Sequence, residues 1–537
     1  MVIHLSKNTQ KMKRSLTVTG AMLFLTAVCV AQVKIIGNVQ VTPGEQVYIF
    51  EDVTTDGSGT LIVDEEALLH VEGTLVNDGN ITFNNAASLM RGSTGNDGTG
   101  TGTYFVRRQG SSNNAVYNYW SSPMQSYSGV PGAQTYLYES AQGTQTFTDD
   151  QPADPGWVSY SGLMTPGRGY AGRGGGLATF AGNVNNGNVD FPLFYTPDVP
   201  GNTAPNTPFN LVGNPYPSGV SCASLVVGNP DISGALYFWA DDLSGGSGYS
   251  SSDYAVWNVF GSLGTGGGSA APNGIISTGQ GFQVKAITSG ATLNFSNSMR
   301  VTNTTQFFRL SGEDSRLWFS IEGNNKFNQL LIGILEDATN GEDRLYDATK
   351  IRGNGDISLA ATNDGKDYCI MAFPPPQATK SVPLNVFVST SGTYTFSADR
   401  MEGFMSEPVF FVDVQNQVSV QLQEGSEIPV YLEAGEYTDR FYLNFQTLGS
   451  VGIEDVEKVE VAIYNYQDDL FIQASSQGTS SALLEVFDMN GSLVLTQTNV
   501  SVGLNPTIVS LARLTPGVYV TAIVLNGKPH YKKIVKF

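Results

Sequence analysis

Histidine is nearly missing from this chain. Only His4, His70 and His530 occur among 537 residues, and none lies between positions 71 and 529. A Ser-His-Asp or Cys-His catalytic arrangement in the main body is thereby excluded, and so is a histidine-built zinc site there. Cysteine is equally scarce, at Cys29, Cys222 and Cys369. Cys222 and Cys369 lie too far apart in sequence for a metal-binding spacing. An oxidising compartment would permit one disulfide between them, and two separately buried thiols fit equally well. Charged residues make up 14% of the chain, against ~25% in an ordinary globular domain. The basic share is the smaller, with 28 Lys and Arg against 48 Asp and Glu and a net charge of −20. With no basic run, nucleic acid and anionic membrane surfaces are poor partners. Beyond the first 31 residues there is no apolar run of the ~20 residues a membrane-spanning helix needs. Long stretches of Ala, Leu, Glu and Lys are also missing, which argues against a helical fold. No G-x-S-x-G elbow or complete P-loop occurs. Gly266–Ala271 formally matches a dinucleotide pattern, but Pro272-Asn273-Gly274 follows, so a turn stands where a phosphate-binding helix would have to begin.

What the chain does have is glycine (61), phenylalanine (28) and tyrosine (24), with Ser, Thr and Asn throughout. That mixture builds short strands joined by tight turns, so the expected class is all-β. The N-terminus carries Lys11, Lys13 and Arg14 ahead of an apolar stretch from Leu16 to Val30, then Ala31 before Gln32. This order reads as a secretory signal over residues 1–31. The residues before Cys29 fit a lipid-attachment motif poorly.

Residues 32–92 carry Leu61, Leu69, Leu75, Ile81 and Leu89 at intervals of six to eight, each on a short apolar run closed by Gly or Asn. A β-solenoid needs this pattern, with one apolar stack inside and turns outside; an antiparallel meander would also satisfy it. His70 within it is read as structural. Residues 93–304 form an irregular, aromatic and Gly-rich β region. Residues 305–447 have strand patterns with turns every 8–12 residues, as a β-sandwich requires. Residues 448–462 read as a linker with an acidic cluster. Residues 463–537 form a further small sandwich of six or seven strands, nearly neutral where the body is acidic, with an Asn-Gly hairpin turn at Asp488–Ser492.

This last segment resembles the type A C-terminal sorting domain of the type IX secretion system. The resemblance rests on Leu483–Val494, Leu511–Ile523 and Lys532–Phe537, which give a strand, a D-x-x-G turn (Asp488, Gly491), a strand, the Gly517-x-Tyr519 pair and a terminal basic strand (Lys532, Lys533, Lys536). It departs from the family at its start, where Ile463-Tyr464-Asn465-Tyr466 replaces the usual Tyr-Pro-Asn-Pro. The resemblance implies an Ig-like fold and passage across the outer membrane. It also implies partnership with the secretion machinery and with a sortase-like peptidase that removes the tail and joins the body to surface polysaccharide or releases it. Tyr117–Met124, Asn210–Ser218, Gly279–Phe282, Asn297–Arg300, Leu335–Ala348 and Asp439–Phe445 are similar to segments of large surface proteins of uncertain function that carry the same tail.

Three constellations could carry chemistry. Trp120, Trp157, Trp239 and Trp257 all fall in the Gly/Asn-rich middle and suit carbohydrate stacking, though irregular β cores also consume tryptophan. Asp337 and Asp343 bracket an oxygen-rich loop that could hold a structural Ca2+ or form an ordinary turn, and no other cofactor is expected. A carboxylate-pair glycosidase needs only two acids, and Asp241 and Asp242 are candidates beside Asp337 and Asp343. The reading these features favour is an exported, non-enzymatic adhesion or matrix-binding scaffold with a glycan ligand. The rivals are a carboxylate-pair polysaccharide hydrolase and a purely structural coat protein. Intact-mass measurement of the body recovered from cells and medium is expected to show a chain that starts at Gln32 and ends between about Gly449 and Ile463. A mature protein that retains Phe537 would remove the processing step.

Overall fold

The computed structural model describes residues 16–18, 23–25, 33–92, 100–138, 156–195, 209–240, 253–265, 271–303, 314–351, 355–376, 380–404, 408–446, 461–466, 469–474, 480–488, 491–503, 506–525 and 528–536. About 59% of the chain is strand and 3% helix, so the protein is all-β. It divides into two compact units, Met1–Leu310 with Ile351–Asn354, and Ser311–Lys350 with Gly355–Phe537.

The first unit opens with a β-solenoid of about three turns. Each turn contributes one short strand to each of three parallel faces. One face stacks Val33–Ile35, Val53–Thr55 and Leu75–Asn77. The second stacks Asn38–Val41, Thr60–Val63, Asn80–Phe83 and Thr103–Gln109. The third stacks Gln46–Ile49, Leu68–Val71 and Ser88–Arg91. The short apolar interval in the sequence is therefore one face, and the true repeat is three faces long. Side chains alternate, so every second residue enters the interior. Val39, Leu61, Ile81 and Tyr104 form one column, and Val41, Val63, Phe83 and Val106 form the next. Equivalent corners need a left-handed residue, supplied by Gly44 at φ 74°, Glu66 at φ 61° and Ala86 at φ 61°. Leu16–Val18 and Leu23–Leu25 pair parallel with Asn38–Val41 and Gln46–Ile49 in the full-length chain.

The last solenoid strand, Thr103–Gln109, turns the parallel stack into antiparallel structure by pairing with Leu177–Gly182. Several small sheets follow among the described residues, and two of them frame the site. One contains Tyr117–Trp120, Ala133–Tyr138, Trp157–Ser159 and Tyr170–Arg173. The other contains Phe209–Gly213, Leu236–Trp239, Tyr254–Trp257, Ser262–Leu263 and Gly281–Lys285. Among the described residues one α-helix, Cys222–Gly228, interrupts this β structure; the hydroxyl of Ser221 accepts from the Ser224 N–H and caps it. Cys222 is buried in this helix as a free thiol, and Cys369, in the second unit, is likewise buried and free.

The second unit contains an eleven-stranded sheet among the described residues. The sheet folds over on itself, because Phe319 and Phe396 from one half meet Phe411 and Phe441 from the other, with ring centroids 4.9–5.6 Å apart. Arg440 forks onto Asp413 through Nε (3.0 Å) and Nη2 (2.9 Å) in a buried bidentate pair. The tail adds two further sheets. Val461–Tyr466, Asp469–Ala474 and Thr507–Ser510 pack against Ser480–Asp488, Leu493–Val502, Gly517–Leu525 and Lys528–Lys536 around Ile472, Leu484, Val486 and Ile523. Tyr464 also packs against the larger core and donates its hydroxyl to the Pro429 carbonyl at 3.1 Å.

Asp347 is buried at the edge of the larger core, where its carboxylate accepts the backbone N–H groups of Asp343 and Ala372. Burial, reinforced by Asp343 and Glu342, pushes its pKa up to about 7 against the opposing effect of those two N–H donors. The native state therefore holds a proton that the unfolded chain releases above the ordinary carboxylate range. Stability falls as pH rises from the unfolded value toward 7, and is flat with respect to this group above that. Urea unfolding of wild type and Asp347→Asn across this window is expected to differ in slope by up to about 1.4 kcal/mol per pH unit, with wild type the steeper.

Candidate functional site

The site in the first unit is built on the strand Tyr117–Trp120. Its two-residue alternation sends Tyr117 and Tyr119 to one face, and Asn118 and Trp120 to the other. On the inner face Trp120 is buried against Phe180, with centroids 6.3 Å apart. Gly110 lies so close that a Cβ there would fall 2.6 Å from the indole, so no other residue fits. Asn118 clamps the neighbouring loop: its Oδ1 accepts from Ser111 N–H at 2.8 Å, and its Nδ2 donates to the carbonyls of Ser111 (3.2 Å) and Gly174 (2.6 Å).

On the outer face Tyr119 is the centre of an aromatic group. Its ring stacks on Trp239 at 5.7 Å and 23°, and meets Trp157 at 5.9 Å. Its hydroxyl lies 2.7 Å from that of Tyr254, which packs edge-on to Trp239 at 5.1 Å. Tyr138 braces Trp157 at 5.2 Å. A cavity of about 200 Å³ opens beside this group, lined by Tyr117, Tyr119, Trp120, Trp239, Arg108 and Gln280 among others. It is smaller than the roughly 300–1,000 Å³ of a drug-sized pocket, which suits one ring-sized unit. The indole Nε1 of Trp120 is buried and has no hydrogen-bond partner.

The electrostatics are those of neutral groups. Burial raises the Tyr119 hydroxyl well above its ordinary range, with Tyr254 adding to the effect, and raises Tyr254 to about 12. Burial lowers the Arg108 guanidinium. Among the described residues no carboxylate lines the cavity. Aromatic faces, phenol and amide groups and one cation can bind and orient a polyol.

The structure thus brings Trp120, Trp157 and Trp239 together around one strand. Trp257 is buried in the sheet core opposite Leu236 and does not line the cavity. Asp343 turns back on its own loop, where its carboxylate accepts from Thr339 N–H (2.5 Å) and Thr339 Oγ1 (3.0 Å). Among the described residues no group of three or more His, Cys, Asp or Glu is placed to hold a metal, Asp337 included. Asp241, Asp242 and most of the 448–462 linker lie outside the described residues. His70 stacks on Tyr48 at 5.4 Å and meets Glu72 at 3.0 Å, on the solenoid surface.

In the tail, Asp488 closes a hairpin by accepting Ser492 N–H at 2.9 Å, and Gly491 takes φ 80°, a conformation that favours glycine. Tyr519 sends its hydroxyl back to the Thr515 carbonyl at 2.6 Å. This is a tyrosine corner, and it has two counterparts in the larger sandwich, Tyr394 to the Thr390 carbonyl and Tyr437 to the Glu433 carbonyl. All three open a strand as Gly-x-Tyr: Gly392-Thr393-Tyr394, Gly435-Glu436-Tyr437 and Gly517-Val518-Tyr519. Sequence reading singled out the last of these and missed the other two, although the repeated tripeptide was a usable signal. Lys536 is buried, with Nζ donating to the carbonyls of Leu511 (2.7 Å) and Leu514 (2.6 Å). Lys532 reaches the Asn416 carbonyl at 3.1 Å, and Lys533 is exposed.

Two family models match the chain. Residues 26–445 match the family described as Domain of unknown function (DUF8693). This chain belongs to that family. Residues 466–536 match the Secretion system C-terminal sorting domain, so the tail is a type IX sorting domain that directs the DUF8693 body to the cell surface or into the medium. No curated protein matches. A solved structure titled "Biofilm associated protein - BSP domain" aligns at 10% identity over 80% of this chain and 95% of its own, with a TM-score of 0.15, too low to carry any argument. No helix among the described residues is long and apolar enough to cross a membrane.

Lys536→Met leaves two carbonyls without their ammonium donor and is expected to cost about 1–3 kcal/mol of tail stability. Lys533→Met, at an exposed position, should change it by less than about 0.5 kcal/mol. Hydrogen exchange of the Gly517–Leu525 amides in the full chain reads both.

Proposed function

We propose that this DUF8693 protein is a non-enzymatic binding scaffold displayed on the cell surface or released, and that it holds a glycan at the Tyr119–Trp239 cavity. The observation that carries this reading is the stack of Tyr119 on Trp239 at the cavity lining, with neutral hydrogen-bonding groups beside it. A sugar ring presents C–H groups to an aromatic face and hydroxyls to its rim, and the lining offers both. In this reading residues 1–31 are removed as a signal. The solenoid at 32–92 and the β region at 93–304 form the binding part, and the sandwich at 305–447 follows it in the chain. The 448–462 linker is the cutting site of a sortase-like peptidase that releases the 463–537 tail, and the body is attached to surface polysaccharide or set free.

Affinity electrophoresis of the purified chain through gels containing bacterial and plant polysaccharides tests the proposal. Retardation by at least one polymer is expected, with Trp239→Ala weakening it about tenfold, equivalent to about 1.4 kcal/mol. Thermal unfolding serves as the control for folding. Equal retardation of wild type and Trp239→Ala would place the ligand elsewhere, and release of reducing sugar would favour the hydrolase.

A further inference from the structure

Outside the aromatic cavity, the second unit buries a reactive pair that the export and binding functions do not use. Asn328 and Lys350 are 5% and 8% exposed. Asn328 lies on the strand Lys326–Ile334, in step with Leu330, Ile332 and Ile334, so its amide takes a core-facing position among apolar side chains. Lys350 follows the short strand Ala348–Thr349, and its backbone N–H is fixed by the Asp367 carbonyl at 2.8 Å. The Lys350 Nζ lies 2.7 Å from Asn328 Oδ1. The same oxygen accepts a second hydrogen bond, from Leu359 N–H at 3.0 Å.

We propose that Lys350 and Asn328 condense into an intramolecular isopeptide bond. The amide carbon Cγ is the next atom beyond the oxygen that the lysine already touches. The Leu359 N–H on Oδ1 draws electron density from that carbon and can stabilise the oxyanion formed on attack. Fixing both groups in one core supplies the proximity term that an intermolecular amidation lacks. The Nζ lone pair adds to Cγ and the Cγ–Nδ2 bond breaks. Lys350 gives up two protons, one before attack and one as the amide forms, and the departing nitrogen takes both, so an ammonium ion leaves for the one that entered the reaction. Nothing is oxidised or reduced, and no co-reactant is needed. The product replaces a buried charge with a neutral secondary amide. It also ties the strand Lys326–Ile334 to the chain more than twenty residues downstream. Cys222 and Cys369 are both free thiols, so neither provides a covalent tie in the structure.

Proteolytic digestion and tandem mass spectrometry of the purified, folded chain decide the matter. The expected result is a branched peptide that joins the segments containing Asn328 and Lys350, lighter than their sum by one ammonia, with trypsin unable to cut after Lys350. Lys350→Arg and Asn328→Ala should each abolish the branched species. Peptide-level assignment is required because cyclisation of a Gln32 N-terminus would remove the same mass from the whole chain. Recovery of two linear peptides from the unsubstituted folded chain after prolonged incubation, with cleavage after Lys350 intact, would overturn the proposal. That readout uses the unaltered protein and does not depend on the variants folding.

Discussion

A stack of parallel coils must end somewhere, and its last coil presents backbone N–H and C=O groups that water or another segment has to satisfy. In this protein one buried arginine organises that closure on the Ser88–Arg91 face. Arg300 reaches the Leu89 carbonyl through Nη2, Ser218 Oγ through Nε (3.0 Å), and the side-chain oxygens of Asn186 and Asn297 through Nη1 (3.0 and 3.1 Å). Its guanidinium lies 4.8 Å from the centre of the Tyr216 ring. Leu89 N–H donates to the Pro217 carbonyl, and Asn303 bridges Ser88 Oγ and the Ala87 carbonyl. The solenoid and the irregular sheets are thereby one hydrogen-bonded body. Burying a guanidinium without a carboxylate carries a desolvation cost of several kcal/mol, which four oxygens and an aromatic face offset. The Asn-Pro-Tyr-Pro-Ser and Asn-Ser-Met-Arg segments, which stood out in the sequence without an evident role, are the two halves of this closure.

The second unit relies on a different device, used three times. Each Gly-x-Tyr opens a strand and pins it to the turn it has just left, through a phenolic hydroxyl on a backbone carbonyl four residues upstream. The pair that helps to mark the tail as a sorting domain is therefore also plain sandwich architecture. The same holds for Lys536, whose charge is spent on two internal carbonyls. On the terminal strand Lys533 and Tyr531 are left exposed.

These two devices frame the functional reading. The tail supplies the route, and the rigid β body supplies a place to hold side chains in fixed positions. Tyr119 occupies a short strand whose neighbours are fixed on both faces, by Asn118 and Trp120 below and by Trp157, Trp239 and Tyr254 above. A binding surface built this way loses little conformational entropy when it takes up a ligand, the ordinary advantage of preorganisation.

The all-β class, the coiled repeat and the sorting tail were legible in the sequence because each rests on local pattern. Apolar residues at Leu61, Leu69, Leu75, Ile81 and Leu89 imply stacked short strands whatever follows, and Asp488, Gly491, Gly517 and Tyr519 form a motif within one small domain. The near-absence of histidine was equally decisive, since a missing residue type cannot be restored by folding. Tertiary structure alone decided which distant residues meet. Trp120, Trp157 and Trp239 are separated by long, irregular segments, and only strand pairing assembled them while sending Trp257 into the core. Arg300 and Leu89, or Lys350 and Asn328, share no spacing that periodicity could detect. Local pattern records how a segment folds against its own neighbours; long-range contact depends on the register and crossing of many strands at once, and that information is not carried by any one segment.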